Sequence, residues 1–186
     1  MQTPYSKKNA DLSDAAHLVA RSRIYPQIFG CDESMLKYDD ATLLHESDRG
    51  KILDGEMGVD RIVNVSVTGF RFPIVFTVQE RFRRAKFAKY KDLTVTEYNR
   101  RTGQPSELYK INAGLFVYGY LSNDHRHFVD AICINTAQLL WQLSRHGIRY
   151  KTQENHRSNQ CFLCFTFDAL SKSGCLLWRK KQDAKY

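Results

Sequence analysis

Long apolar runs are absent from this sequence. The longest near-apolar stretches, residues 111–121 and 161–167, fall well short of the roughly 18 residues that a membrane span requires, so no membrane partner is expected. The first eleven residues hold no apolar segment of the kind a secretory signal needs. No glycine-rich phosphate loop, dinucleotide fingerprint or serine nucleophile elbow occurs, which argues against kinase, dehydrogenase and α/β-hydrolase chemistry. The six histidines, at 17, 45, 125, 127, 146 and 156, show neither HxxxH nor HExxH spacing. Acidic residues are in deficit, 20 against 28 Lys and Arg, for a net charge of +8. That excludes an acid-rich, self-solvating protein and favours a polyanionic partner, most often nucleic acid.

What is present is enough apolar material for one core: 42% hydrophobic residues in a chain of 186. No repeat, low-complexity stretch or long linker interrupts it. The five cysteines, Cys31, Cys133, Cys161, Cys164 and Cys175, are an odd number with no signal segment. They read as reduced thiols of an intracellular protein, cytoplasmic or nucleoid/nuclear, in a reducing compartment. Cys161 and Cys164 form a CxxC, and Cys175 and His156 could complete a zinc set on paper. The pair falls inside an apolar run that reads as a strand, however, where residues three apart face opposite ways. Small buried hydrophobes are the competing reading.

Periodicity predicts a helix over 11–23 with Leu12, Ala15, Ala16, Val19 and Ala20 on one face, and a second over about 39–54. Strands are expected at 59–67, 73–82, 93–98, 128–135 and 161–167, an amphipathic helix at 136–145 with Leu139, Leu140 and Leu143 inward, and mixed structure over 106–121. The order predicts an α/β fold, a central mixed sheet flanked by helices. Three segments follow: an N-terminal helical arm, 1–38, packed on the core; the α/β core, 39–178; and a basic tail, 179–186.

The segment 58–84 carries the chemistry. Asp60 opens one strand, and about twenty residues later a second strand ends Val78, Gln79, Glu80, Arg81, Phe82, Arg83, Arg84. Strand alternation puts Phe76, Val78, Glu80 and Phe82 on a core face. Thr77, Gln79, Arg81 and Arg83 fall on a polar face that could line a cleft beside Asp60. At these residues the sequence resembles the PD-(D/E)xK nuclease superfamily, the restriction-endonuclease-like fold, over roughly residues 40–135. Asp60 matches the family's first acid, Gln79 and Arg81 occupy the acid and Lys places, and Glu46 matches the helical Glu. The resemblance implies a single restriction-endonuclease-like domain that hydrolyses DNA phosphodiester bonds as an endo- or exodeoxyribonuclease. It implies Mg²⁺ (or Mn²⁺) held by Asp60 and Glu46, with Gln79 assisting, or Glu80 if a bulge inverts the strand parity. Gln is a weaker ligand than Glu, and Arg81 keeps its proton at every accessible pH; it could bind phosphate and stabilise developing charge but not act as a base.

Directly beyond the pair, residues 81–91 hold six cations, Arg81, Arg83, Arg84, Lys86, Lys89 and Lys91, interleaved with Phe82, Phe87 and Tyr90. Such a run would neutralise phosphates and stack on bases; the nuclease resemblance implies DNA rather than RNA as the partner. Arg100, Arg101, Lys110, Arg179, Lys180, Lys181 and Lys185 could extend the surface. Glu107 and Lys110 read either as an i, i+3 surface ion pair or as support for the cleft, with Lys110 on phosphate. Two alternatives stand beside the nuclease. One is a non-catalytic nucleic-acid-binding module derived from a nuclease fold, acting with protein partners or as a homodimer. The other is a structural partner protein with a basic docking face.

Overall fold

The computed structural model describes residues 7–40, 52–53, 57–156 and 158–180. Its centre is a six-stranded mixed sheet in the order β1 (Leu36–Asp40), β2 (Arg61–Val65), β3 (Ile74–Arg84), β5 (Leu115–Leu121), β6 (Phe128–Asn135) and β9 (Leu176–Arg179). Neighbouring strands are antiparallel except β3 and β5, which run parallel. A parallel step needs a crossover. The chain therefore leaves the sheet after Arg84, makes a 3₁₀ turn over Ala85–Tyr90, and lays down β4 (Asp92–Asn99) in a second sheet before returning at β5. That second sheet, β4–β8–β7, is completed by β8 (Gln160–Thr166) and β7 (Lys151–Asn155), all antiparallel.

The molecule has three layers. On one face of the main sheet lie α1 (Lys7–Val19), the π-helical turn Ala20–Ile24 and α2 (Tyr25–Phe29). Ala16, Ala20, Ile24 and Tyr25 are buried there against Val63, Val78, Val117 and Cys133. On the other face Leu93, Val95, Leu163 and Phe165 of the second sheet pack on Phe116, Tyr118, Tyr120, Ile132 and Ile134. Strand β5, sandwiched by both layers, is buried along its whole length, as expected of a continuous apolar run in a central strand. Gly119 sits there because a Cβ would stand 2.7 Å from Cδ1 of Phe128. The helices α3 (Thr136–Ser144) and α4 (Phe167–Lys172) start at side-chain caps: Asn135 accepts from the Gln138 N–H and Thr166 from the Ala169 N–H.

The expected mixed sheet is present, with strand positions close to those read from the sequence. Three differences have physical reasons. The helix expected from residue 39 does not begin there, because Asp39 and Asp40 end β1, paired with Ile62 and Arg61; residues 41–51 and 54–56 lie outside the described residues. Leu140 is exposed rather than inward, since α3 buries only the stripe through Thr136, Leu139 and Leu143. Strand β7 carried no apolar signal because all five of its residues are exposed.

Candidate functional site

Asp60 is held at the head of β2 by two hydrogen bonds. Its N–H donates to the Val78 carbonyl (3.0 Å) and its Oδ2 accepts the Glu80 N–H (2.6 Å), which fastens it across β3 with Gln79 between the two contacts. Among the described residues, Gln79 Oε1 is buried without a hydrogen-bond partner. Gly58, in the left-handed conformation at φ +56°, lets two oxygens close in beside it. A Cβ there would lie 3.1 Å from both Gln79 Oε1 and the Lys110 carbonyl. The Gln79 amide oxygen and the Lys110 carbonyl thus meet beside Gly58, at the end of β3 to which Asp60 is fastened. Carboxylate, amide and carbonyl oxygens are hard donors of the kind Mg²⁺ takes. Among the described residues no group of three or more His, Cys, Asp and Glu side chains is placed to hold a metal. Glu46 lies outside the described residues.

Glu80 does not belong to this site. Strand parity is regular here, with no inverting bulge between β2 and β3, so Glu80 points into the opposite layer. There its carboxylate is shut off from solvent among four groups. Arg61 donates through Nε (3.1 Å) and Nη2 (3.0 Å), His17 Nδ1 lies at 2.7 Å, and Tyr25 donates its hydroxyl. Arg61 also pairs with Asp40, which Arg21 grips from the helical layer. Burial by itself would raise the Glu80 carboxyl's pKa. The His17 hydrogen bond, the Arg61 charge and the Tyr25 hydroxyl outweigh it and hold the group below the usual carboxylate range. Glu80 is a clamp between sheet and helix, not a metal ligand.

Arg81 returns to the Gln79 face. Its Nη1 donates to Glu107, whose Oε2 also accepts the Thr96 N–H (3.1 Å). Glu107 therefore supports the cleft, turned inward on the 3₁₀ turn Glu107–Tyr109, rather than serving only the helix surface. Two residues on, Arg83 Nη1 reaches Thr94 Oγ1 (3.3 Å) and the Tyr118 hydroxyl (3.4 Å), and its guanidinium lies 4.2 Å from the Phe87 ring centre. Arg81 and Arg83 form the floor of a groove of about 580 Å³ walled by Thr94, Phe162, Gln153 and His156.

The remaining cations of residues 81–91 do not make one surface. Arg84, on the other parity of β3, lines a small pocket with Leu12, Ser122 and His125 on the helical side. Lys86 and Lys89 are exposed beside the rings of Phe87 and Tyr90, and Lys91 is exposed at the end of the turn. Lys110 is exposed, and its carbonyl faces the Asp60 end of the site. Arg179 is taken by Asp130 and Arg100 by Glu154. Cys161 and Cys164 are buried in β8 on opposite parities, and the five cysteines are free thiols.

Thr94, Thr96 and Phe162 were not singled out by the sequence. The polar alternation Thr94, Thr96 on β4 is a parity signal, but the strand they face is set only by the crossover. No family model matches the chain, nor does any curated protein or solved structure. No helix among the described residues is long and apolar enough to cross a membrane.

Proposed function

We propose that the protein is a restriction-endonuclease-like nuclease that binds DNA through the face of Gln79, Arg81 and Arg83 and hydrolyses phosphodiester bonds with Mg²⁺ or Mn²⁺. Its free thiols suit an intracellular, reducing compartment. One observation carries the reading: Asp60 is pinned across β3 to the Val78 carbonyl and the Glu80 N–H, while Gln79, between those two contacts, has a buried amide oxygen with no donor among the described residues and Arg81 follows on the same face. Asp60 and Gln79 would hold the ion, with the Lys110 carbonyl adjacent. A divalent ion supplies phosphate polarisation and hydroxide near neutral pH. Arg81 would face the scissile phosphate, its orientation fixed by Glu107, and contribute charge stabilisation without proton transfer. The test is incubation of purified protein with single- and double-stranded DNA in Mg²⁺ or Mn²⁺ beside an Asp60→Ala control. Cleavage by the wild type and its loss in the variant are expected; cleavage unchanged in Asp60→Ala removes the assignment.

A second reading, a non-catalytic nucleic-acid-binding module working with protein partners or as a homodimer, is favoured by the Arg81–Glu107 ion pair, which spends part of the charge a reaction would need. It expects salt-sensitive binding that survives both Asp60→Ala and chelation of metal.

A further inference from the structure

Charge compensation in the groove is uneven. Arg81 has Glu107 and Arg100 has Glu154, but Arg83, its neighbour on the floor, donates only to the hydroxyls of Thr94 and Tyr118 and rests on Phe87. Among the described residues no carboxylate stands within ion-pair distance of it. Asp92 acts on this half-buried guanidinium only from beyond contact, so its hydrogen-bonding fork keeps donors facing the groove without a bound carboxylate, and that fork geometry suits phosphate.

We propose that the groove between the two sheets is a single-stranded DNA cleft, in which Arg83 anchors a backbone phosphate and Phe162 carries a base. The proposal rests on the nucleic-acid reading above and adds the strandedness of the ligand. The volume, about 580 Å³, is that of a small-ligand site and has room for an unpaired base. Phe162 is half-buried on the groove wall with the Arg81 guanidinium 5.8 Å from its ring centre, so aromatic and cationic surfaces that stack on any base lie together. Gln153, exposed on β7 directly across from Phe162, accepts the Cys164 thiol at Oε1 (3.6 Å) and has its amide N–H groups to offer a base edge.

The experiment is fluorescence anisotropy with a labelled oligothymidine of about twelve nucleotides, and a duplex of equal length, in chelator. Stacking is worth about 1–3 kcal/mol per base, so Phe162→Leu is expected to weaken single-strand binding by roughly five- to 150-fold. Arg83→Ala should weaken it and lower the salt slope by about 0.7, the share of one phosphate contact on a single strand, with Arg83→Lys restoring the slope. Gln153→Glu, on an exposed strand where folding is not at stake, should weaken binding by placing a like charge beside the backbone. The single strand should bind at least tenfold tighter than the duplex. Equal affinity for the two, or unchanged binding by Phe162→Leu and Gln153→Glu, overturns the cleft. Single-strand binding retained in a protein that cleaves nothing removes the nuclease and leaves the cleft standing.

Discussion

Gln79 and Glu80 are consecutive residues of β3 whose side chains enter different layers of the molecule. Among the described residues, Gln79 leaves its amide oxygen without a donor beside Gly58 and the Lys110 carbonyl, whereas Glu80 is saturated by Arg61, His17 and Tyr25 under the helices. The strand thus separates a site with acceptor capacity to spare from a clamp with none, and each side makes its own expectation.

Removing the clamp leaves Arg61 buried and half-paired. Glu80→Ala is expected to lower stability by about 3–5 kcal/mol, the cost of breaking one side of a buried ion pair. Urea unfolding followed by circular dichroism measures it, and a loss below about 1 kcal/mol would show that the network does not hold the helical layer to the sheet.

Acid should act on the same group. The folded Glu80 carboxyl titrates below its ordinary value, so the unfolded chain binds more protons through that window and stability rises with pH. The contribution is complete above the unfolded value of about 4.3 and is lost as pH falls towards the lower folded value. Unfolding free energies measured from pH 7 to pH 3 should fall below about pH 4.3, and Glu80→Gln should flatten that part of the curve.

Gly58→Ala tests the acceptor end of β3. An alanine at φ +56° meets left-handed strain of about 1–2 kcal/mol, and its Cβ would press on Gln79 Oε1 and the Lys110 carbonyl at 3.1 Å. The variant should melt several degrees lower. Under the nuclease reading it should also lose metal-dependent cleavage beyond what its stability accounts for, which assay well below its melting point decides.

The thiols give a fourth check. Burial pushes Cys133 up to about 12 and raises Cys164 and Cys175; burial and Asp32 raise Cys31 as well, but Cys31 is partly exposed where the other four thiols are buried. Since the thiolate is the reactive form, a thiol reagent at pH 8 should label Cys31 first. Full labelling of five should require denaturant. Rapid native labelling of Cys133 would contradict its place on β6 beneath the helical layer.

Local pattern carried much of this fold into the sequence. Alternation of β-branched and apolar residues in 59–67 and 73–82 marked β2 and β3, and the parity of β3 assigned Val78 and Glu80 to one face and Gln79, Arg81 and Arg83 to the other, because side-chain direction in a strand depends only on neighbouring residues. The same alternation set Asp60 across from Gln79. Whether Glu80 was a ligand or a clamp was settled by His17 and Tyr25, more than fifty residues away, which no local period encodes. The polar face of β3 was legible as polar but not as walled: the crossover through β4 folds Thr94, Thr96 and Phe162 over it and turns a sheet surface into a groove. The six cations of residues 81–91 were visible as charge, yet tertiary pairing divided them, Arg81 to Glu107, Arg84 to the helical side, Arg83 to hydroxyls alone. Sequence determined which residues could face together, since backbone geometry is local; the tertiary structure decided which charges are neutralised, since that depends on partners brought from distant parts of the chain.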